Sequence, residues 1–303
     1  MNENKLSLII PVYNEEKSIS YLINKINILK EKIPNIEIII VNDGSLDNTR
    51  SMLEKFNFEN NNIINLINLD RNKGYGYAIK KGAQLSRSKY ISIIDADQTY
   101  PFEKIIDMFN EIIQSDISMI VGSRKKTLYK NWLSYLNPKN FAREIVRLFA
   151  SIMSKKDIKD INSGLRIFLR KDFEEFDYLY PDGFSLTSTQ TCLFAINNYK
   201  IKYIDIEYEN RVGQSKIKPV KDFINFFNVI FKVLIINKPL NFFLPIFLIF
   251  FSTGLILIIL RIFFIENYFF TGFSLINLSF IFLFFGYVFE LLSLIIKKNK
   301  KGE

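Results

Sequence analysis

The 303-residue chain contains no histidine and a single cysteine, Cys192. The lack of histidine excludes Ser-His-Asp triads, Cys-His dyads, haem ligation by histidine and the HExxH zinc site of metalloproteases. A single cysteine excludes an internal disulfide framework and any zinc site built from cysteines. A metal bound by this chain must therefore take oxygen ligands, which favours Mg²⁺ or Mn²⁺.

Acidic residues are also few relative to basic ones, 31 Asp+Glu against 40 Lys+Arg, and the net charge is +9. Such an excess favours binding to phosphates, either on nucleic acid or at a membrane surface. The chain carries no recognised nucleic-acid-binding motif, and basic residues cluster beside its most apolar segments. We therefore expect phosphates at a membrane surface, and no nucleic acid, as partners.

The first two thirds of the chain alternate short β-rich runs with amphipathic helical patterns. This order predicts an α/β fold with a mostly parallel sheet and helices on both faces. The predicted strands are Leu6–Ile10, Ile36–Val41, Ile63–Leu69 and Tyr90–Ile94, and the predicted helices are Glu15–Lys32, Asp47–Phe56 and Tyr75–Leu85. In such sheets ligands bind beyond the carboxyl ends of the strands.

Polar clusters stand at three of these strand ends: Tyr13–Glu15, Asn42–Ser45 and Asp95–Asp97. Each cluster alone is typical of an ordinary turn, and Ser45 and Asp47 are residue types that commonly cap the start of a helix. Their convergence at one sheet edge predicts a binding site instead.

The last third is apolar. The 20 residues Asn241–Leu260 carry no charge, and as a helix they would be ~30 Å long, the thickness of a bilayer core. A second such segment, Phe273–Ile296, ends in the basic run Lys297–Lys301. We expect two transmembrane helices, the alternative being a pair of buried core helices. The two spans predict an integral membrane protein, and the basic tail predicts that the N-terminal domain and both termini lie in the cytoplasm.

Two further segments have amphipathic patterns with basic residues. Pro219–Lys238 is predicted to lie in the membrane interface, whereas Phe141–Lys156 fits the interface and the soluble core equally well. The predicted organisation is a cytoplasmic domain over 1–217, an amphipathic helix over 218–240 and a membrane anchor over 241–303.

Seven motifs in order resemble those of family 2 glycosyltransferases with the GT-A (Rossmann-like) fold. They are Pro11–Glu16, Val41–Ser45, Asn72–Gly76, Asp95–Asp97, Val121–Arg124, Asn162–Arg166 and Arg211–Lys216. The later motifs narrow the resemblance to the dolichyl-phosphate mannosyltransferase and bacterial polyprenyl-phosphate glycosyltransferase branch, in which two C-terminal spans also occur.

The resemblance implies a role for each matching residue. Donor-binding positions match Pro11, Tyr13, Glu15, Asp43, Gly74, Asp95 and Arg124. The metal-binding acidic pair matches Asp95 and Asp97, with Mg²⁺ or Mn²⁺ as the cofactor. Residues near the donor and lipid phosphates match Arg124, Arg211, Ser215 and Lys216. Where some relatives carry a further metal-binding glutamine, this chain has Thr99, and water is then the alternative third ligand.

The implied function is inverting transfer of one sugar from a UDP- or GDP-linked hexose to polyprenyl (dolichyl or undecaprenyl) phosphate at the cytoplasmic membrane face. Other branches place an acid, acting as base, where this chain has Ser188–Thr191. A phosphate acceptor is already ionised and needs no base, which favours the lipid phosphate. The alternatives are a sugar hydroxyl acceptor or a non-catalytic nucleotide-sugar-binding scaffold. A homo-oligomer is an alternative to a monomer.

Overall fold

A computed structural model gives the structure of the chain. It describes residues 5–60, 63–124, 144, 147–148, 150–152, 154–209, 228, 231–236, 238–263 and 268–301. The chain forms two compact units, Met1–Val229 and Ile230–Glu303. Most of the predicted interface segment 218–240 lies outside the described residues, so the predicted division into three segments stays a prediction.

A seven-stranded sheet organises the first unit, in the order β3-β2-β1-β4-β6-β5-β7. All neighbouring strands pair in parallel except β6, which is antiparallel to both β4 and β5. The strands are β1 Leu6–Val12, β2 Glu37–Asn42, β3 Asn65–Asn68, β4 Tyr90–Ile93, β5 Met119–Ser123, β6 Arg166–Leu169 and β7 Ile201–Asp205. The predicted mostly parallel sheet is confirmed.

Six helices of this unit have bounds that the structure gives. They are α1 Glu16–Lys32, α2 Thr49–Glu59, α3 Tyr75–Leu85, α4 Lys104–Ile113, α5 Arg170–Glu174 and α6 Leu186–Ile196. In α4 the buried residues Ile105, Met108, Phe109 and Ile112 recur at the spacing of one helix face. That stripe packs on the sheet, while the polar face of α4 remains outside.

The central strands are buried on both faces, as a parallel sheet covered by helices requires. Every residue of β1 is buried, and so are five of the six residues of β2. Leu8, Ile10, Ile38 and Ile40 share one cluster with the buried residues of α1, among them Leu22 and Ile26. This rigid core fixes the strand ends at which the polar clusters stand.

The second unit contains two long apolar helices, α7 Pro239–Phe263 and α8 Tyr268–Lys301. The segments Pro239–Leu260 and Phe269–Ile295 are long and apolar enough to cross a membrane. Only 11% and 17% of their most apolar stretches are buried within the molecule, which does not fit the alternative of buried core helices. Both helices overlap the predicted spans.

Candidate active site

Three neighbouring strands end in the polar residues that the sequence predicts to bind the donor. β2, β1 and β4 are adjacent and parallel, so their carboxyl ends meet at one edge of the sheet. Pro11, Tyr13 and Glu15 lie in or directly after β1, Asp43 directly follows β2, and Asp95 and Asp97 follow β4. The structure therefore brings the predicted residues of these three clusters to a common edge.

The segments that follow β1 and β2 are bonded to each other. Asn14 has a left-handed backbone conformation (φ 50°), and its backbone N–H donates to Ser45 Oγ at 2.9 Å. The Asn14 side-chain oxygen accepts the Leu46 N–H at 2.7 Å, and the Glu15 N–H donates to Thr49 Oγ1 at 2.9 Å. These bonds give Tyr13 and Glu15 a fixed backbone at the predicted nucleotide site.

Asp43 binds the backbone of the glycine-rich loop before α3. Its Oδ1 accepts the Lys73 N–H at 2.7 Å and its Oδ2 accepts the Gly74 N–H at 2.9 Å. Burial raises the pKa of the Asp43 carboxyl, although the two N–H donors act in the opposite direction. The next residue, Gly44, has φ +67°, and a Cβ there would lie 2.4 Å from the Arg71 carbonyl carbon. Asp43 thus holds the loop, and its predicted contact with the nucleotide stays a prediction.

Asp97 is 6% exposed and is oriented by Thr99. The Thr99 hydroxyl donates to Asp97 Oδ1 at 2.6 Å, and the Thr99 N–H donates to the same oxygen at 3.3 Å. Between them Gln98 has φ 65°, so the chain turns sharply enough to bring Thr99 back onto the carboxylate. Thr99 stands where some relatives are expected to carry a glutamine, and here it acts on Asp97 directly.

The side chains at this edge fit a hard divalent cation. Asp95 and Asp97 supply only oxygen donors, the ligand type that Mg²⁺ and Mn²⁺ prefer. Within the described part of the chain no group of three or more acidic or cysteine side chains is close enough to hold a metal. Asp95 and Asp97 would therefore hold the cation together with phosphate oxygens of the donor and water.

Tyr100 connects the surroundings of Asp95 to Arg124. Its hydroxyl oxygen accepts the Gly164 N–H at 2.7 Å and a bond from Arg124 Nη1 at 3.1 Å. Gly164 in turn lies against the Asp95 carboxylate, because a Cβ at residue 164 would be only 2.4 Å from Asp95 Oδ2. Residues distant in sequence therefore meet around Asp95.

Arg124 forms a buried ion pair with Asp160. Arg124 Nε donates to Asp160 Oδ2 at 2.8 Å and Nη2 donates to Oδ1 at 2.9 Å. Asp160 also accepts the backbone N–H groups of Arg124 and Asn162. Burial lowers the pKa of the Arg124 guanidinium, but the charge of Asp160, its hydrogen bonds and the neighbouring Tyr100 and Tyr208 together outweigh burial, so the net pKa is raised. This pairing occupies the Arg124 side chain, and the predicted phosphate-binding role of Arg124 stays a prediction.

Helix α6 lies beside this pair and is buried along its whole length. The hydroxyls of Thr187 and Ser188 donate to the side-chain oxygen of Asn162. Arg166, fully buried on β6, donates to the carbonyls of Ser163 and Thr187. Each acceptor that the structure shows for Arg166 is a carbonyl, amide or hydroxyl oxygen, so its charge is stabilised by dipoles.

Residues 7–177 match the family described as glycosyl transferase family 2. This match covers more than half of the chain. The protein belongs to glycosyl transferase family 2. The family predicted from the seven motifs is therefore confirmed.

Two curated relatives of this family 2 glycosyltransferase are named for polyprenyl-phosphate acceptors. One is a dolichyl-phosphate beta-glucosyltransferase of Dictyostelium discoideum, 31% identical over 180 residues, covering 55% of this chain and 54% of the relative. The other is an undecaprenyl-phosphate 4-deoxy-4-formamido-L-arabinose transferase of Proteus mirabilis, 31% identical over 169 residues, covering 55% and 49%. The chain thus spans about half the length of these relatives, which fall in the predicted branch.

A solved structure shares the fold. Glucosyl-3-phosphoglycerate synthase from Mycobacterium tuberculosis, in complex with Mn²⁺, UDP-glucose and phosphoglyceric acid, has a TM-score of 0.57 and 12% identity. The similarity covers 76% of this chain and 79% of that chain. The prediction of a GT-A fold is confirmed.

Arg211, Ser215 and Lys216 lie outside the described residues. Gly74 lies before α3 with φ +110°, where a Cβ would be 2.4 Å from the Asp182 carbonyl oxygen.

Sequence reasoning did not single out a side chain at Tyr75, Tyr100, Asp160 or Arg166. Tyr75, Asp160 and Arg166 lie in or next to the recognised motifs, and Tyr100 lies three residues after Asp97. The signal that the sequence offered for these residues was their closeness to the motifs. The partner that each side chain binds depends on the tertiary fold.

Proposed function

We propose that this family 2 glycosyltransferase transfers one hexose from a nucleotide-sugar to the phosphate of a polyprenyl phosphate lipid. A lipid phosphate oxygen attacks the anomeric carbon, and the bond from that carbon to the nucleoside diphosphate breaks. Attack opposite the leaving group inverts the anomeric configuration. The nucleoside diphosphate leaves with the bonding electron pair, so negative charge accumulates on it.

The donor half of the site is suited to that charge. A divalent cation held by Asp95 and Asp97 would neutralise the diphosphate as it leaves. Thr99 keeps Asp97 in one orientation. Asp43 holds the loop at Lys73 and Gly74, and the missing side chain of Gly74 would let the loop backbone come close to the donor. The Mn²⁺ and UDP-glucose bound by the structural neighbour support this arrangement.

The observation that carries the choice of acceptor is the bonding of Asp160. This carboxylate accepts two guanidinium N–H bonds from Arg124 and two backbone N–H bonds. These four donors occupy the lone-pair positions of both carboxylate oxygens, which leaves Asp160 no free site to accept a proton from an acceptor hydroxyl. Helix α6, Leu186–Ile196, carries no acidic residue at all. A hydroxyl acceptor would need a base to remove its proton, whereas a phosphate monoester is ionised at pH 7 and needs none.

The apolar helices support a lipid acceptor. We infer that α7 and α8 cross the membrane and that the first unit works at the cytoplasmic face, with both termini on that side. The basic run Lys297–Lys301 after the second apolar segment supports this orientation. A site at headgroup level would meet the phosphate of a polyprenyl lipid where that phosphate resides.

The test uses the purified full chain in detergent with Mn²⁺ and a panel of UDP- and GDP-linked hexoses. Undecaprenyl phosphate and dolichyl phosphate are the acceptors, and the matching polyprenols without phosphate are the controls. Mass spectrometry is expected to find a polyprenyl-phosphate hexose only with the phosphorylated lipids. A sugar-sugar product, or equal transfer to the polyprenols, would show a hydroxyl acceptor and overturn the proposal.

A further inference from the structure

The Asp95 carboxylate is contacted by two residues to which the resemblance assigned no role, Tyr75 and Gly164. The Tyr75 hydroxyl donates a hydrogen bond to Asp95 Oδ1 at 2.7 Å. The Cβ that residue 164 lacks would lie 2.4 Å from Asp95 Oδ2 and 2.7 Å from Asp95 Cγ. The carboxylate therefore occupies the space left by Gly164 and is bonded there by the tyrosine.

Tyr75 is itself fixed in place. It is the first residue of α3, and its ring stacks on Phe184 with centroids 5.5 Å apart and an interplanar angle of 20°. The segment before α6 that carries Phe184 is bonded to α3. The Tyr77 N–H donates to the Asp182 carbonyl at 3.0 Å, and Lys80 Nζ lies 2.7 Å from Asp182 Oδ1.

These contacts give the Tyr75 hydroxyl a defined position before any ligand binds. The hydroxyl donates to Asp95 Oδ1, while the ring is held by its stacking on Phe184. Asp95 and Asp97 thus each have a separate donor from the protein, Tyr75 for the first and Thr99 for the second.

We propose that Tyr75 is a positioning residue whose hydroxyl holds the Asp95 carboxylate in the orientation that binds the metal and the nucleoside diphosphate of the donor. The inference rests on the proposed function only for the donor half of the site and does not depend on the acceptor. A carboxylate that is already held in its metal-binding orientation gives tighter binding, because it loses less orientational freedom when the metal and nucleotide bind.

The first experiment compares Tyr75→Phe with Tyr77→Phe in the full chain, by calorimetric titration of UDP and GDP at fixed Mn²⁺. Tyr75→Phe keeps the ring that stacks on Phe184 and removes only the hydroxyl. Tyr77 lies on the same helix, and its hydroxyl contacts Lys73 Nζ at 3.4 Å. We expect the dissociation constant to rise about tenfold in Tyr75→Phe and less than twofold in Tyr77→Phe, with equal melting temperatures.

A second experiment separates positioning from a general structural effect. A Cβ at residue 164 would clash with the same carboxylate, so the effect of Gly164→Ala on nucleotide binding and that of Tyr75→Phe should be less than additive in the double variant. Unchanged nucleotide binding in Tyr75→Phe, or full additivity, would overturn the inference. Lipid is absent from both titrations. Failure of transfer to polyprenyl phosphate would therefore refute the proposed function and leave the role of Tyr75 standing.

Discussion

Arg124 and Asp160 are joined by two parallel hydrogen bonds in an almost fully buried ion pair, with Arg124 6% and Asp160 4% exposed. The remaining terminal nitrogen of Arg124 donates to Tyr100, and its guanidinium lies 5.3 Å from the centre of the Tyr208 ring. Asp160 is therefore committed to Arg124, and the pair anchors the backbone of the Asn162–Arg166 motif close to Asp95.

Removing one partner of this pair should be costly, because the other charge is left buried without compensation. We expect Asp160→Ala to lower the free energy of unfolding by about 3–5 kcal/mol, measured by urea denaturation of the full chain in detergent. Asp107→Ala, which breaks the exposed pair with Lys104, should cost less than about 1 kcal/mol. The double variant Arg124→Leu/Asp160→Leu should recover part of the loss. A double variant less stable than Asp160→Ala would contradict this account.

The Thr99 hydroxyl should matter for metal binding rather than for folding. Thr99→Val preserves the shape of the side chain and removes the donor to Asp97 Oδ1. We expect the Mn²⁺ concentration that half-saturates nucleoside diphosphate binding to rise about tenfold, the usual effect of removing a partner of a metal ligand. Thr99→Ser retains a hydroxyl and serves as the control. Equal Mn²⁺ dependence in the valine and wild-type proteins would show that Thr99 does not orient the ligand.

Local pattern was sufficient to predict much of the fold. The predicted helix Tyr75–Leu85 has the bounds of α3, because its apolar spacing and the flanking Gly74 and Ser86 mark both ends. The convergence of Asp43 and Asp95 at one edge followed from the rule that parallel strands end together. The donor half of the site was predictable because each of its motifs directly follows a strand.

The other half of the site depends on pairings between distant residues. Tyr100 bonds Gly164, 64 residues away, and Arg124 bonds Asp160, 36 residues away. These contacts form because antiparallel β6 inserts between β4 and β5, which sets Arg166 opposite Ile93. Periodicity in a single sequence carries no information about that insertion, so the side-chain partners could not be predicted.

Cys192 should be chemically inert in the folded protein. Burial raises the pKa of its thiol to about 12, and the side chain is 1% exposed. Because the thiolate is the reactive form, roughly one molecule in ten thousand would carry it at pH 8. We expect no reaction with a disulfide reagent at pH 8 until the protein is denatured, when one thiol per chain should react. The exposed variant Ser51→Cys should react at once, and a rapidly reacting wild-type protein would contradict the burial of Cys192.

The two apolar helices meet backbone to backbone at Gly254 and Gly272. A Cβ at either residue would lie 2.7 Å from the carbonyl oxygen of the other, so a larger side chain must push the helices apart. We expect Gly254→Leu to destabilise the pair by about 1–3 kcal/mol, the usual cost of overpacking. The midpoint of helix loss during titration of the full chain with sodium dodecyl sulfate should fall accordingly. Ile256→Leu, at a position 55% exposed on α7, should leave it unchanged. Because α7 and α8 belong to the second unit, nucleotide binding should be the same in the wild-type, Gly254→Leu and Ile256→Leu proteins. A loss of nucleotide binding in Gly254→Leu alone would show that binding depends on the packing of these helices, and would contradict this expectation.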